Sequence, residues 1–229
     1  MAVAISQTAD PAGVSASGSV VTYTAASIGT AAVDRIVALV VTTELASASP
    51  NSATIDFGGG AVAMSTSTQG NFGAVYARIF YAAAPTGTTA TFAITFGAGP
   101  SSTQNHASVY RLIGARNLPT TGGNGSTDMD ATAPLTTGSI TIATNGGFLA
   151  VAAGATDAVG KTWANATEDL DVDAGAFQHT TAMRTTSGTV TVTVTGGTNQ
   201  EDGALSWSIW TPGTFLTADA GTYTLTGTA

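Results

Sequence analysis

Residues 189–195 read TVTVTVT, and this strict alternation decides the fold class. Val190, Val192 and Val194 share one side of an extended chain, because successive side chains of a β-strand point to opposite faces. The threonines between them share the other side and face water. The stretch therefore predicts a half-buried strand of an antiparallel sheet that has one covered face.

The same period of two recurs along the chain, in runs separated by Gly-rich and Pro-containing turn signals. The large apolar members of such runs include Phe92, Ile94, Phe96, Leu205, Trp207 and Ile209. In RIVALVV (35–41) and GFLAVAAG (147–154) both faces are apolar or small, which predicts central strands covered on both sides. Short strands with frequent turns indicate an all-β, antiparallel β-sandwich.

The two halves of the chain repeat the same order of strands as a pattern rather than as residue identity. The matching runs are 35–41 with 148–153, 76–81 with 177–184, 89–96 with 189–195, and 106–113 with 203–210. Two arrangements fit: tandem small sandwiches, or one large sandwich in which each half adds strands to both sheets. We expect the second, because the later half has few large apolar residues with which to close its own core.

The sandwich is thus expected over residues 19–213, with half-repeats at about 19–116 and 139–213. Residues 117–138 read NLPTTGGNGSTDMDATAPLTTG, which predicts an irregular crossover on the surface. The segments 1–18 and 214–229 have too few apolar residues for a core of their own. We expect them to attach the protein to a partner, or to add a strand to a neighbour's sheet edge.

The composition excludes several classes of protein. Only 9% of the 229 residues are charged, against about 25% in an ordinary domain, and the net charge is −8. Six scattered basic residues argue against a nucleic-acid partner, and the absence of cysteine excludes disulfides and thiolate metal sites. The apolar run 36–41 is far shorter than the ~20 residues of a membrane-spanning helix. The N-terminus lacks the features of a secretory signal peptide.

The stretch TEDLDVDAG at 167–175 concentrates acidic residues. Asp169, Asp171 and Asp173 have the spacing of the first three ligands of an EF-hand, but the required glycine and final glutamate are absent. On a strand the three aspartates share one face, and the apolar residues between them share the other. The sequence therefore predicts a solvated strand face, with an irregular cation site on the three aspartates as the alternative.

Motifs for catalysis are weak. His106 and His179 stand in apparent strands, and no G-x-S-x-G elbow accompanies them. A glycan hydrolase needs two facing carboxyl groups, and Glu44, Glu168 and Glu201 near strand ends or loops leave that alternative open. We predict that the protein is not an enzyme and needs no cofactor.

Two tryptophans raise the alternative of a carbohydrate-binding module. Trp163 stands in the loop-like GKTWANATED, and alternation directs Trp210 away from the predicted core. An exposed indole beside Asp and Asn is suited to stacking on a sugar ring. Tryptophans also fill sandwich cores and subunit interfaces, which is the competing interpretation.

A series of segments resembles a group of phage and prophage virion proteins found in alphaproteobacterial phages and in gene-transfer-agent particles. These segments include DRIVALVV, ATIDFGGGAVAM, ARIFYAAAPTGTTATFAITF, SITIATNGGFLAVAAGAT, TVTVTVTGG and ALSWSIWTP. The closing FLTADAGTYTLTGTA is similar to the endings of structural proteins from the same phages. The resemblance covers about residues 19–229, and its motifs are patterns of strands and turns.

This resemblance implies a jelly-roll-like sandwich and a structural role on the outer surface of a virion assembled in the host cytoplasm. A head decoration, a head fibre or spike, and a tail-associated knob all fit. The implied partners are other copies of the chain, other virion proteins and a host-surface glycan, with no nucleic acid and no membrane insertion.

Overall fold

The structure, a computed structural model, describes residues 1–11, 13–116, 118–119, 121–129, 133–155, 160–175, 177–196 and 201–213. Every regular element within these residues is a β-strand, and all strand pairs are antiparallel. The described part of the chain contains no helix of the length and hydropathy that a membrane span requires. The predicted all-β sandwich class is confirmed.

The strands of the first half are β1 Ala4–Ala9, β2 Val20–Ser27, β3 Ile36–Glu44, β4 Pro50–Asp56, β5 Val62–Ala63, β6 Ser65–Thr66, β7 Gly70–Phe72, β8 Val75–Ala83, β9 Thr89–Phe96 and β10 Asn105–Ile113. Those of the second half are β11 Thr121–Met129, β12 Leu135–Ile142, β13 Gly147–Ala155, β14 Thr162–Ala164, β15 Thr167–Asp173, β16 Phe177–Arg184, β17 Gly188–Thr195 and β18 Glu201–Trp210.

The strands form four sheets. Sheet 1 has the order β2-β9-β4-β5, and sheet 2 has the order β1-β10-β3-β8-β6, with β7 also paired to β8. Sheet 3 has the order β11-β18-β13-β16-β15, and sheet 4 has the order β12-β17-β14. The order β1-β10-β3-β8 is repeated by β11-β18-β13-β16, and β2-β9-β4 by β12-β17-β14. Each half therefore has the strand order of a jelly roll, in which the chain crosses repeatedly between two sheets.

The four sheets stack in numerical order around three hydrophobic cores. Phe80, Phe92 and their neighbours fill the space between sheets 1 and 2. Phe148 and Trp207 belong to the core between sheets 3 and 4. The middle core, between sheets 2 and 3, joins the two jelly rolls.

The central strands β3 and β13 show why the sheets can stack. Ile36, Ala38 and Val40 enter the middle core, while the residues between them enter the core under sheet 1. Every residue of β13 is likewise buried. The prediction that these strands are covered on both sides is confirmed.

Our expectation of one sandwich with sheets shared between the halves is wrong. Each of the four sheets contains described strands from one half only. The later half closes its own core because Trp163 and Trp207 add bulk to the smaller apolar residues of that core. The other face of sheet 3 is covered by the first jelly roll, so the second jelly roll needs fewer large side chains on that face.

The crossover 117–138 is more regular than predicted, since β11 occupies 121–129 and β12 begins at Leu135. Its glycines serve close packing: a Cβ on Gly123 would lie 2.5 Å from the ring of Trp207.

The N-terminal segment also differs from the prediction. Residues 4–9 form β1 and pair with β10 of the same chain, and Val3 and Ile5 enter the middle core. One side of β1 is therefore taken up by β10, and β1 forms the edge of sheet 2. The predicted arm at 214–229 lies outside the described residues.

Candidate functional site

A chain of polar side chains crosses the junction between sheets 2 and 3, and we call it the seam network. It consists of Asp10, Thr42, His106, Ser108 and His179. Asp10 directly follows β1, Thr42 lies on β3, His106 and Ser108 lie on β10, and His179 lies on β16. The network thus connects the first jelly roll to the second.

The distances define one consistent arrangement of protons. Ser108 Oγ donates to Asp10 Oδ1 at 2.9 Å, so it accepts from His179 Nε2, also at 2.9 Å. His179 Nδ1 then accepts from Thr42 Oγ1 at 2.6 Å. His106 Nε2 donates to Asp10 Oδ1 at 2.7 Å. In this arrangement His179 is a neutral imidazole, and both of its nitrogens are hydrogen-bonded.

The electrostatics agree with this arrangement. Burial, together with the neighbouring His106, holds the pKa of His179 well below its ordinary value. The two imidazole rings lie 4.5 Å apart, so charging both at once is unfavourable. Burial acts to raise the pKa of Asp10, but the interactions with His106 and Ser108 outweigh it and lower that pKa.

The seam network contains the residue types of a catalytic triad in an order that does not suit catalysis. A triad needs the carboxylate on the histidine nitrogen opposite the serine. Here that nitrogen of His179 meets Thr42, and the carboxylate of Asp10 binds the serine directly. Ser108 and His179 are fully buried, so no substrate carbonyl reaches Ser108 Oγ in this conformation.

Only the Asp10 end of the network reaches solvent, with 33% of its side chain exposed. An open groove of about 500 Å³ lies beside it. The groove is lined by Ala9, Asp10, Pro11, Val14, Thr22, Tyr23, Thr24 and Ala26. Asp10 is the one carboxylate among these lining residues, and the apolar walls come from β1, β2 and the connection between them.

Further polar contacts cross the junction between the jelly rolls. Tyr110 on β10 donates its hydroxyl to Asp169 Oδ2 at 2.8 Å and lies 2.6 Å from Thr181 Oγ1. Burial, with smaller contributions from nearby carboxylates, raises the pKa of Tyr110. Ser67 Oγ and Ser206 Oγ lie 2.8 Å apart. The junction is therefore bonded at several separate points.

The three aspartates proposed as cation ligands do not act together. A register shift between Glu168 and Leu170 puts a bulge at Asp169, which turns this side chain towards Tyr110 and sheet 2. Asp171 Oδ2 instead accepts from the backbone N–H of Lys161, and Asp173 Oδ1 from that of Gly175. The prediction of a single water-facing row is wrong, because the bulge breaks the alternation.

No metal centre is evident in the part of the chain that the structure describes, where no three His, Asp or Glu residues are grouped suitably. Asp169 is engaged by a tyrosine hydroxyl, and Asp171 is half-buried. The three carboxylates therefore do not form the single row that their spacing in the sequence predicts.

The two tryptophans proposed for sugar stacking are buried. Trp163 is 8% exposed, lies on β14, and donates its indole N–H to Thr180 Oγ1 at 2.8 Å. Trp210 is fully buried in the middle core, edge-on to Tyr81. The direction predicted for Trp210 holds, but the face it points to is covered by the first jelly roll. Neither ring offers a face to a glycan.

Sequence reasoning missed Asp10, Thr42 and Ser108, and it treated the two histidines separately. One local signal was available. In HASVY (106–110) the polar and aromatic residues alternate with Ala107 and Val109, which indicates a central strand with one polar face. The structure turns that face towards the second jelly roll.

No protein-family model, curated protein or solved structure matches the chain.

Proposed function

We propose that this protein is a structural, non-enzymatic component of a phage-like particle, displayed on its outside. A head decoration, a head fibre or spike, and a tail-associated knob are the forms it would take. The observation that carries the proposal is the outer face of sheets 1 and 4, which presents short uncharged side chains. Exposed examples are Thr22, Thr24, Ser52, Thr95, Ser139, Thr141, Thr189 and Thr191.

Such faces suit a protein that packs beside many neighbours. Threonine and serine have little side-chain entropy to lose when a contact orders them, whereas lysine and glutamate lose more. These threonines and serines are themselves uncharged, so a contact made through them places no like charges directly opposite each other, while the chain as a whole has a net charge of −8. The expected partners are therefore other copies of this chain and other particle proteins.

The interior supports the same proposal. The nucleophile-like Ser108 is buried and hydrogen-bonded at the junction, where it serves to join two sheets. Glu201, one candidate carboxylate for a glycan hydrolase, is buried against Lys161. The resemblance of the strand and turn pattern to virion proteins supports this kind of particle, and the proposal includes a position on the outer surface of a virion assembled in the host cytoplasm.

Electron microscopy of the native particle tests the proposal. Particles from a strain carrying the gene are compared with particles from a strain in which the gene is deleted, and antibodies against this protein carry gold labels. We expect gold on intact particles of the first strain and loss of a surface feature from the second. An unlabelled and unchanged particle would contradict the proposal.

A glycan-binding role through Trp163 and Trp210 has no support from the geometry, because both rings are buried. Binding to a host-surface glycan would need another surface, and a glycan array with the purified protein would detect it.

A further inference from the structure

The outer edge of sheet 2 is open at β1. Within the described residues this strand, Ala4–Ala9, pairs with β10 on one side and with no strand on the other. The unpaired side of an edge strand presents N–H and C=O groups that can bind a further strand. The backbone of β1 is therefore a template for one more strand of sheet 2.

The exposed edge of β1 lacks the usual protection. Proteins protect edge strands with charged side chains, prolines or bulges, and β15, at the edge of sheet 3, has four carboxylates and a bulge. The sequence of β1, AISQTA, contains neither a charged residue nor a proline. Its one register shift lies near its end, between Gln7 and Ala9. Most of the strand is therefore free to accept a partner strand.

Two contiguous grooves lie beside this edge, and we call them together the edge groove. Their volumes are about 410 and 550 Å³, and Ile5, Thr185 and Thr186 line both. Ala166 and Met183 add further apolar surface to the smaller one. Ile5 points from β1 into the middle core, so a strand added beside β1 directs every second side chain to the same side. The edge groove therefore suits a strand with apolar side chains at alternate positions.

The chain itself contains such a segment beyond its described part. Residues 222–226 read TYTLT, and Tyr223 and Leu225 share one face of an extended strand. Residues 214–229 contain one charged residue, Asp219. Arg184 is the one charged residue among those that line the edge groove. The segment thus matches the groove in its apolar pattern and is opposite to it in charge.

Gly213 lies beside the start of β1. Its N–H donates to Gly114 O at 2.8 Å, and a Cβ on Gly114 would lie 2.5 Å from Ala2 O. Ala2 itself lines the edge groove. The eight residues 214–221 span up to about 26 Å, whereas a strand of six residues is about 20 Å long. Residues 222–226 can therefore reach either end of β1.

We infer that residues 222–226 add a strand to the open edge of β1 in the same chain, with Tyr223 and Leu225 in the edge groove. The added strand pairs with the free N–H and C=O groups of β1 and covers Met183, which is only partly buried. It also closes an edge that would otherwise bind a strand of another copy. This inference does not depend on the proposed particle role.

Hydrogen exchange of the full chain, followed amide by amide by NMR, tests the inference. The amides of β1 that point away from β10 should exchange slowly, as in a strand paired on both sides. Leu225→Asp places a carboxylate in the edge groove, which opposes docking of the segment. Exchange at these amides should then become about tenfold faster or more. Unchanged exchange in β3 and β13 verifies that the variant is folded.

Thr224→Asp is the matched control. Thr224 lies on the opposite face of the added strand, where a carboxylate remains in water, so the β1 amides should keep their slow exchange. Fast exchange at the outward amides of the unsubstituted protein would overturn the inference. Equal exchange rates in the two variants would overturn it as well, because the two faces of the segment would then not differ.

Cysteine pairs show whether the strand comes from the same chain. Ser6 is exposed on the outer face of β1, so S6C is combined in turn with T222C, T224C and T226C. We expect one of these pairs to form a disulfide within a monomer on mild oxidation, because directly opposite residues come within disulfide distance. T224C with T191C, on the outer face of sheet 4, should keep free thiols. Disulfide-linked dimers, free thiols in all three pairs, or a disulfide in the control would each overturn the inference.

Discussion

The outer cores and the middle core of this protein are built differently. Between sheets 1 and 2, large apolar side chains such as Phe80, Phe92 and Phe96 fill the space. Between sheets 2 and 3, apolar residues such as Trp210 share the space with buried hydroxyl and imidazole groups, such as those of Ser108 and His179. Apolar burial dominates the core between sheets 1 and 2, whereas the junction also depends on matched donors and acceptors.

The two kinds of contact differ in how strictly they determine the arrangement of the sheets. Apolar burial is non-directional, so an outer core tolerates repacking when volume is kept. A buried hydrogen-bond network is directional, and removing one member leaves its partners unsatisfied. The seam network thus fixes how the two jelly rolls are docked.

The largest expected effect comes from the outer core. Phe92→Ala removes a fully buried ring between sheets 1 and 2, and we expect a loss of about 3–5 kcal/mol in the free energy of unfolding. Phe57→Ala is the matched control, because Phe57 is only partly buried against the same core. Urea unfolding measures both. Equal losses for the two variants would contradict the assigned packing.

The next effect comes from the seam network. His179→Leu keeps an apolar volume but leaves the hydroxyls of Thr42 and Ser108 without this partner, at a cost of about 1–3 kcal/mol. Ser108→Ala should cost less in the His179→Leu background than alone, with a coupling of about 0.5–3 kcal/mol. Strictly additive losses would show that the two side chains do not interact.

Acid should weaken the protein through His179. Its pKa in the folded state is well below the ordinary value, so below a pH of about 6.5 the unfolded chain binds a proton that the folded chain does not. Stability should fall with falling pH, by up to about 1.4 kcal/mol per pH unit for this group. Asp10, whose pKa is lowered, adds a further loss below about pH 4.

His179→Gln isolates the histidine contribution, because glutamine does not titrate. Urea unfolding between pH 7 and pH 4 should give a flatter curve for this variant than for the unsubstituted protein. Identical slopes would mean that folding does not lower the pKa of His179, which would contradict its assignment as a buried neutral imidazole.

The smallest effect is expected at the outer faces. Thr191 is exposed on sheet 4, so Thr191→Ala should change the free energy of unfolding by less than about 0.5 kcal/mol. Thermal unfolding of the isolated protein measures this. A large loss would show that the threonine-rich face contributes to the fold itself.

Alternation along the strands was sufficient to predict the outer cores. In β17, Val192 and Val194 are buried and Thr189 and Thr191 are exposed, as the sequence predicts. The half-repeats and the doubly covered strands β3 and β13 could also be predicted from the sequence, because a period of two is a property of neighbouring residues. The bulge at Asp169 could not be predicted, since nothing in the TEDLDVD pattern marks the extra residue.

The seam network could not be read from the sequence, because its members are far apart. Ser108 and His179 are separated by 71 residues, and Thr42 and His179 by 137. Their proximity depends on how the two jelly rolls dock. The same holds for Trp210, which points away from its own core but into the junction.

The docking of the two jelly rolls across sheets 2 and 3 is tested most directly by an engineered disulfide. Ser67 and Ser206 touch across the junction, with hydroxyl oxygens 2.8 Å apart, and the chain has no other cysteine to interfere. The pair S67C and S206C should form an intramolecular disulfide on mild oxidation, while S67C with T191C should not. Free thiols in the first pair after oxidation would contradict the stacked arrangement.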